Sequence, residues 1–127
     1  MSPALALQKA MRDALLAHPG WTVAVYDHVP PGAAAPHVFF GGTETRDWST
    51  KTERGHEHFV TLRVKSKAGG KKEAQSLIAM IEAALDNAAL ALGGHRLVNL
   101  RLTLWSAERD GDRYNGAARF RAVTEVI

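Results

Sequence analysis

Phe59-Val60-Thr61-Leu62-Arg63-Val64-Lys65-Ser66-Lys67, the break Ala68-Gly69-Gly70, and the run that starts at Lys71-Lys72-Glu73-Ala74 decide the fold between them. Before the break, Val60, Leu62 and Val64 alternate with Thr61, Arg63, Lys65 and Lys67, the period of two that puts apolar side chains on one face of a strand. After it, Ala74, Leu77, Ile78, Ile81, Ala84, Leu85 and Ala88 recur at three- and four-residue steps and trace one apolar stripe along a helix. A half-polar strand followed by a one-sided helix predicts a sheet covered by helices on one face only.

Working toward the N-terminus, residues 43–55 are polar and mixed in charge around Trp48, and read as a loop or extended arm that becomes ordered on assembly. Upstream, His37-Val38-Phe39-Phe40, closed by Gly41-Gly42, reads as a strand, and the proline- and glycine-rich stretch 30–36 as a connector. Residues 21–29 read as another short strand. Leu7, Met11, Ala14, Leu15 and His18 give the helical period again, with Ser2 as N-cap, Pro3 at the first helical position, and a stop at His18-Pro19-Gly20.

Toward the C-terminus, residues 89–94 make a glycine-closed loop. From 96 to 106, Val98, Leu100, Leu102 and Leu104 alternate with Asn99, Arg101, Thr103 and Trp105. Asp110-Gly111-Asp112 signals a hairpin turn, and the return strand 114–126 sets Ala118, Phe120 and Ala122 against Arg119, Arg121 and Val123. The expected fold class is α+β: an antiparallel or mixed sheet of about five strands, two helices packed on one face, in the order α-β-β-β-α-β-β. No repeat or linker divides the chain, so residues 1–127 are expected to form one domain.

The 127 residues, 46% hydrophobic and 23% charged, have the profile of one soluble globular domain. The absence of cysteine excludes disulfides, thiolate metal sites and a cysteine nucleophile. Charged residues interrupt every apolar stretch before it reaches membrane-spanning length, and the N-terminal segment lacks the pattern of a signal peptide. The formal charge of +3 is too modest to decide a partner.

Chemical motifs are sparse. His56 and His58 would project from one face of a strand and could share a metal ion, but a third ligand is wanting, and ordinary strand histidines are the stronger reading. Gly69-Gly70-Lys71-Lys72 before a helix resembles a phosphate loop, yet the upstream glycine is missing and Lys72 stands where a Ser or Thr would be needed. No nucleophile elbow or cofactor motif occurs, and Glu108, Asp110 and Asp112 read as solvated turn residues.

What remains is the polar face of the long strands: Thr61, Arg63, Lys65, Arg101, Thr103, Trp105, Arg119 and Arg121, if those strands are neighbours. An interface with acidic patches of another subunit is favoured over plain solvation, because Arg and Trp serve as interface anchors. A small nucleic-acid-binding module is the alternative; against it, Trp105 is the one evident stacking ring.

The whole succession is also familiar. Val25-Tyr26-Asp27-His28-Val29-Pro30, Pro36-His37-Val38, Asp47-Trp48-Ser49-Thr50-Lys51-Thr52, Leu92-Gly93-Gly94-His95-Arg96-Leu97-Val98 and the final Arg119-Phe120-Arg121-Ala122 follow one another in an order that resembles a family of short phage and prophage proteins. The family includes a component of alphaproteobacterial gene transfer agents and looks like the tail terminator or tail completion proteins of long-tailed phages. The resemblance implies a structural, non-enzymatic subunit of a phage-like particle at the tail–neck junction, assembled in the bacterial cytoplasm. It further implies a ring, commonly hexameric, that caps the tail tube, stops its elongation and joins the neck, with tail tube protein and neck or head-closure protein as partners, no membrane, and DNA passing the lumen without specific binding. On this reading Arg46, Asp47, Trp48, Lys51, Arg63, Lys65, Arg101, Trp105, Arg119 and Arg121 are the expected subunit or tail-tube interface.

Overall fold

The computed structural model describes residues 2–67 and 70–127. Helix α1 spans Pro3–Ala17, strand β1 Ala24–Tyr26, β2 His37–Asp47, β3 Gly55–Lys65, helix α2 Lys71–Leu85, β4 His95–Asp110 and β5 Arg113–Val126. The expected break at Ala68-Gly69, and with it the first glycine of the phosphate-loop resemblance, lies outside the described residues. The strands form one sheet in the order β1-β2-β3-β5-β4. Its β1–β2 pair is parallel and the others are antiparallel, which makes it mixed.

Local chemistry explains the boundaries. The Ser2 hydroxyl accepts the Leu5 N–H at 3.1 Å, a side-chain cap for one of the donors that the first helical turn leaves free. The helix stops at His18, and Gly20 takes the left-handed conformation that a side chain would resist. The hairpin between β4 and β5 turns on Gly111, also at positive φ.

One cluster of buried side chains forms the core. Leu7, Met11 and Leu15 of α1 and Leu77, Ile78, Ile81 and Leu85 of α2 pack on Val60, Leu62, Val64, Leu100, Ala118, Phe120 and Ala122 of the sheet. All of these strand residues share one face, so both helices lie on that side. Each fully buried Leu or Phe contributes roughly 1.5–3 kcal/mol of transfer free energy, which fixes the register wherever the alternation is clean. Ile78 of α2 packs tightly over Gly116, where a Cβ would stand 2.8 Å from Ile78 Cδ1.

Three expectations are corrected. Residues 21–29 contain only a three-residue strand, because Trp21 and Val23 pack against the core from irregular backbone. Residues 43–55 are no arm awaiting a partner. β2 continues to Asp47, pairing Arg46 with Glu57 and Asp47 with His56, and residues 48–54 close a hairpin. In that hairpin the Trp48 N–H donates to Gly55 O at 2.9 Å and the Thr50 N–H to Glu53 O at 2.8 Å. Finally, β4 carries register shifts between Leu97 and Asn99 and between Leu102 and Leu104, and each exchanges faces. Leu104 stands opposite Arg119 on the open face, while Trp105 stands opposite buried Ala118 on the helix side.

Candidate functional site: the open face of the sheet

The face away from the helices presents Glu57, Phe59, Thr61, Arg63 and Lys65 from β3 and Arg119 and Arg121 from β5. Arg46 of β2 and Arg101 of β4 flank them, by the pairings Arg46 with Glu57, Phe59 with Arg121 and Arg101 with Arg121. With Trp48, whose ring lies against two of these guanidiniums, this brings together seven of the ten expected interface residues. Asp47 belongs to the other face, opposite His56, and Lys51 sits in the hairpin turn. Trp105 is displaced to the helix side by the β4 bulge, since the extra residue inverts the alternation that the sequence presents unbroken.

At the centre lies Glu57, only 2% exposed. Arg121 Nε donates to its Oε2 at 2.6 Å, and Arg46 Nε donates to its Oε1. Burial pushes the Glu57 carboxyl pKa up, but the bonds and charges of Arg121 and Arg46 outweigh it and hold the group below its ordinary value. The Trp48 ring lies beneath both guanidiniums, with centroid distances of 5.3 Å for Arg46 and 5.5 Å for Arg121. One carboxylate and one indole therefore fix two cations, and the fourth member comes from the hairpin turn.

The other cations of the face are tied down in similar ways. Arg119 stacks over Phe59 at 4.6 Å, Lys65 lies 4.0 Å from Asp110, and Arg101 reaches over the sheet edge to Asp86 at 3.2 Å. Arg63 lies across Gly41, where a Cβ would stand 3.0 Å from its Nε, so the glycine makes room for the guanidinium. At the hairpin, the Ser49 hydroxyl and N–H both donate to Asp47, and these bonds hold its carboxyl below the usual range.

On the helix side, His58 is fully buried between two threonines, with Nδ1 2.9 Å from Thr45 Oγ1 and Nε2 2.9 Å from Thr124 Oγ1. Desolvation first, then the proximity of His56 and His95, lowers its pKa to about 4. His56 does share its face, with ring centroids 6.1 Å apart. The hydroxyls nonetheless occupy both His58 nitrogens, and among the described residues no three potential ligands gather around the pair.

The residue that organises the face, Glu57, was not among those expected from sequence. The signal was present: extending the 59–65 alternation back by two residues places a carboxylate on the cationic side. Within His56-Glu57-His58 attention falls on the histidines, and only the cross-strand register shows which arginines stand beside the glutamate.

The described residues thus form a two-layer α+β fold whose sheet face away from the helices bears arginines fixed by neighbouring side chains. The tail completion protein gp17 family matches residues 9–125, and the chain belongs to that family. Among solved structures it is similar to a chain in the virion of a native gene transfer agent (GTA) particle, at 33% identity and a TM-score of 0.86, covering 96% of each chain. Among curated proteins no sequence matches.

Proposed function

We propose that this chain is a structural subunit of a phage-like particle, a ring-forming tail terminator that caps the tail tube, stops its elongation and joins the tail to the capsid neck. The observation that carries the reading is the end-to-end likeness to a chain of a gene transfer agent virion, within a tail completion family that matches nearly the whole sequence. Its partners are further copies of itself, the tail tube protein and a neck protein. DNA passes the lumen without specific binding, and the chain turns over no substrate.

The open face supports a role in protein contact. Arg46, Arg121, Arg119, Arg101 and Lys65 are held by Glu57, Trp48, Phe59, Asp86 and Asp110, so their geometry is set before a partner arrives, and less side-chain freedom is lost on docking. Arg46, Trp48, Lys51, Arg63, Lys65, Arg119 and Arg121 are the residues we assign to subunit or tube contact, with Arg101 at the border of the face. Asp47 shapes the hairpin that carries Trp48, and Trp105 contributes from the sheet edge.

Electron microscopy of particles produced without the chain tests the proposal. Overlong tails, or tails detached from heads, are the expected result. Normal joined particles of ordinary tail length would overturn it.

A further inference from the structure

We propose that copies of this chain join edge to edge by strand addition, with residues 104–110 of β4 in one copy pairing antiparallel to residues 43–47 of β2 in the next. The inference rests on the ring reading above and names the contact that closes the ring.

Two bare edges carry the argument. β4 ends the sheet on one side, and its outer edge is closed in the middle by the chain that follows α2. There the Leu102 N–H donates to Asp86 Oδ1 at 2.9 Å, and the Asn87 N–H donates to Leu100 O at 2.7 Å. Such a plug is the usual protection of an edge strand. Below it, among the described residues, the edge from 104 to 110 has no strand beside it, and there Leu104 is 61% and Trp105 46% exposed, one on each face. On the opposite side, among the described residues, β1 covers β2 only at His37, Val38 and Phe39, which leaves residues 43–47 with β3 on one side and no strand on the other.

The directions match. β2 and β4 run opposite ways in the sheet, because β3 lies antiparallel to both β2 and β5, and β4 antiparallel to β5. A rotation that carries one copy into the next along the sheet therefore sets β4 against β2 antiparallel, the arrangement with the better hydrogen bonds. Two different edges meet in such a contact, so it is heterologous and closes into a ring when the rotation divides a full turn.

The offset matches as well. Through the shared pairings, Thr45 stands level with His58, Ala122 and Leu100, so pairing it with the edge below Leu104 requires a stagger of roughly 15–25 Å. Closed sheets need such a stagger: a repeat about four strands wide, at ~4.8 Å each and tilted by roughly 35–45°, shifts by roughly 13–19 Å. The same shift carries the Asp86–Asn87 plug beyond the end of β2 and keeps β1 clear of the incoming strand. Side-chain faces agree, since Glu44 and Arg46 share the open face with Leu104, Ser106 and Glu108.

The chain contains no cysteine, so the test needs no background removal. Particles are assembled with the double variant Glu44→Cys/Ser106→Cys and treated with a short bismaleimide, whose reach tolerates a register shift of two residues. A ladder of covalent multimers is expected, and each single variant alone gives none. Adding Leu104→Lys should cut the multimer yield at least tenfold without moving the melting temperature of the purified chain. Particles that hold several copies yet give no ladder, or a ladder undiminished by Leu104→Lys, overturn the edge contact and leave the ring standing. Particles that hold a single copy overturn the ring, and the edge contact with it.

Discussion

Arg121 and Glu57, sixty-four residues apart in sequence, meet on adjacent strands with Nε 2.6 Å from Oε2, and Arg46 completes the same carboxylate from the other side. The buried charge is thus matched by two cations that remain partly in water, and neutralising it leaves both without their partner.

Glu57→Gln tests that arrangement with little change of shape. Glu57 has a folded pKa below its ordinary value of 4.5, so the ionised carboxylate stabilises the fold above that pH, and the contribution fades as pH falls through the lower folded value. The variant is expected to unfold at lower urea concentration than the parent at pH 7, and the gap should narrow steadily below pH 4.5. A gap that stays constant from pH 7 to pH 3 would show that the charge is idle.

His58 gives the second pH dependence, on a different limb. Its folded pKa of about 4 lies below the ordinary 6.5, so between these values the unfolded chain binds the proton that the folded chain refuses. Stability is therefore complete above pH 6.5 and declines as pH falls toward 4, by on the order of 3 kcal/mol at most. Urea titrations of the parent and His58→Gln across this window check it: the parent should lose stability more steeply. Parallel curves would mean that the two threonine contacts leave His58 free to protonate in place.

Most of the core was legible from spacing. Both helical stripes and the alternation in β3 and β5 name residues that the structure buries, including Leu7, Met11, Leu15, Val60, Leu62, Val64 and Phe120. Single-residue geometry was not legible. The register shift at Leu102/Leu104 leaves the written alternation intact while inverting the faces beyond it, which misplaces Trp105. The polar stretch 43–47 hides its strand character because its partner, β3, supplies the buried side of the ladder and its own side chains stay exposed. For the open face, sequence named the arginines, whereas the carboxylate beneath them follows only from cross-strand register.

Gly116 is predicted to be irreplaceable for packing. A Cβ there would stand 2.8 Å from Ile78 Cδ1 and 3.3 Å from Val64 Cβ, and Ile78 is too deeply buried to swing away. Gly116→Ala should cost about 1–3 kcal/mol, the usual range for overpacking. Ile78→Val removes the clashing Cδ1, so the double variant should recover part of the loss, a coupling that thermal melts of the four proteins resolve. Additive losses would place α2 farther from β5 than the structure does.

Asp86 is predicted to guard the β4 edge as well as to end α2. Its carboxylate accepts the outward Leu102 N–H at 2.9 Å and holds Arg101 at 3.2 Å, while the neighbouring Asn87, in the left-handed conformation, closes the next position through Leu100 O. Asp86→Ala removes the acceptor for that N–H and should destabilise the fold by about 1 kcal/mol; Asp86→Asn keeps an acceptor and should lose less. Beyond stability, the alanine variant bares a longer continuous edge next to Leu104 and Trp105, and such edges template association. Light scattering at matched concentration should therefore rise faster for Asp86→Ala than for a core variant that loses the same measured stability. Equal rates would mean that the loss of stability alone drives association and that the plug protects nothing.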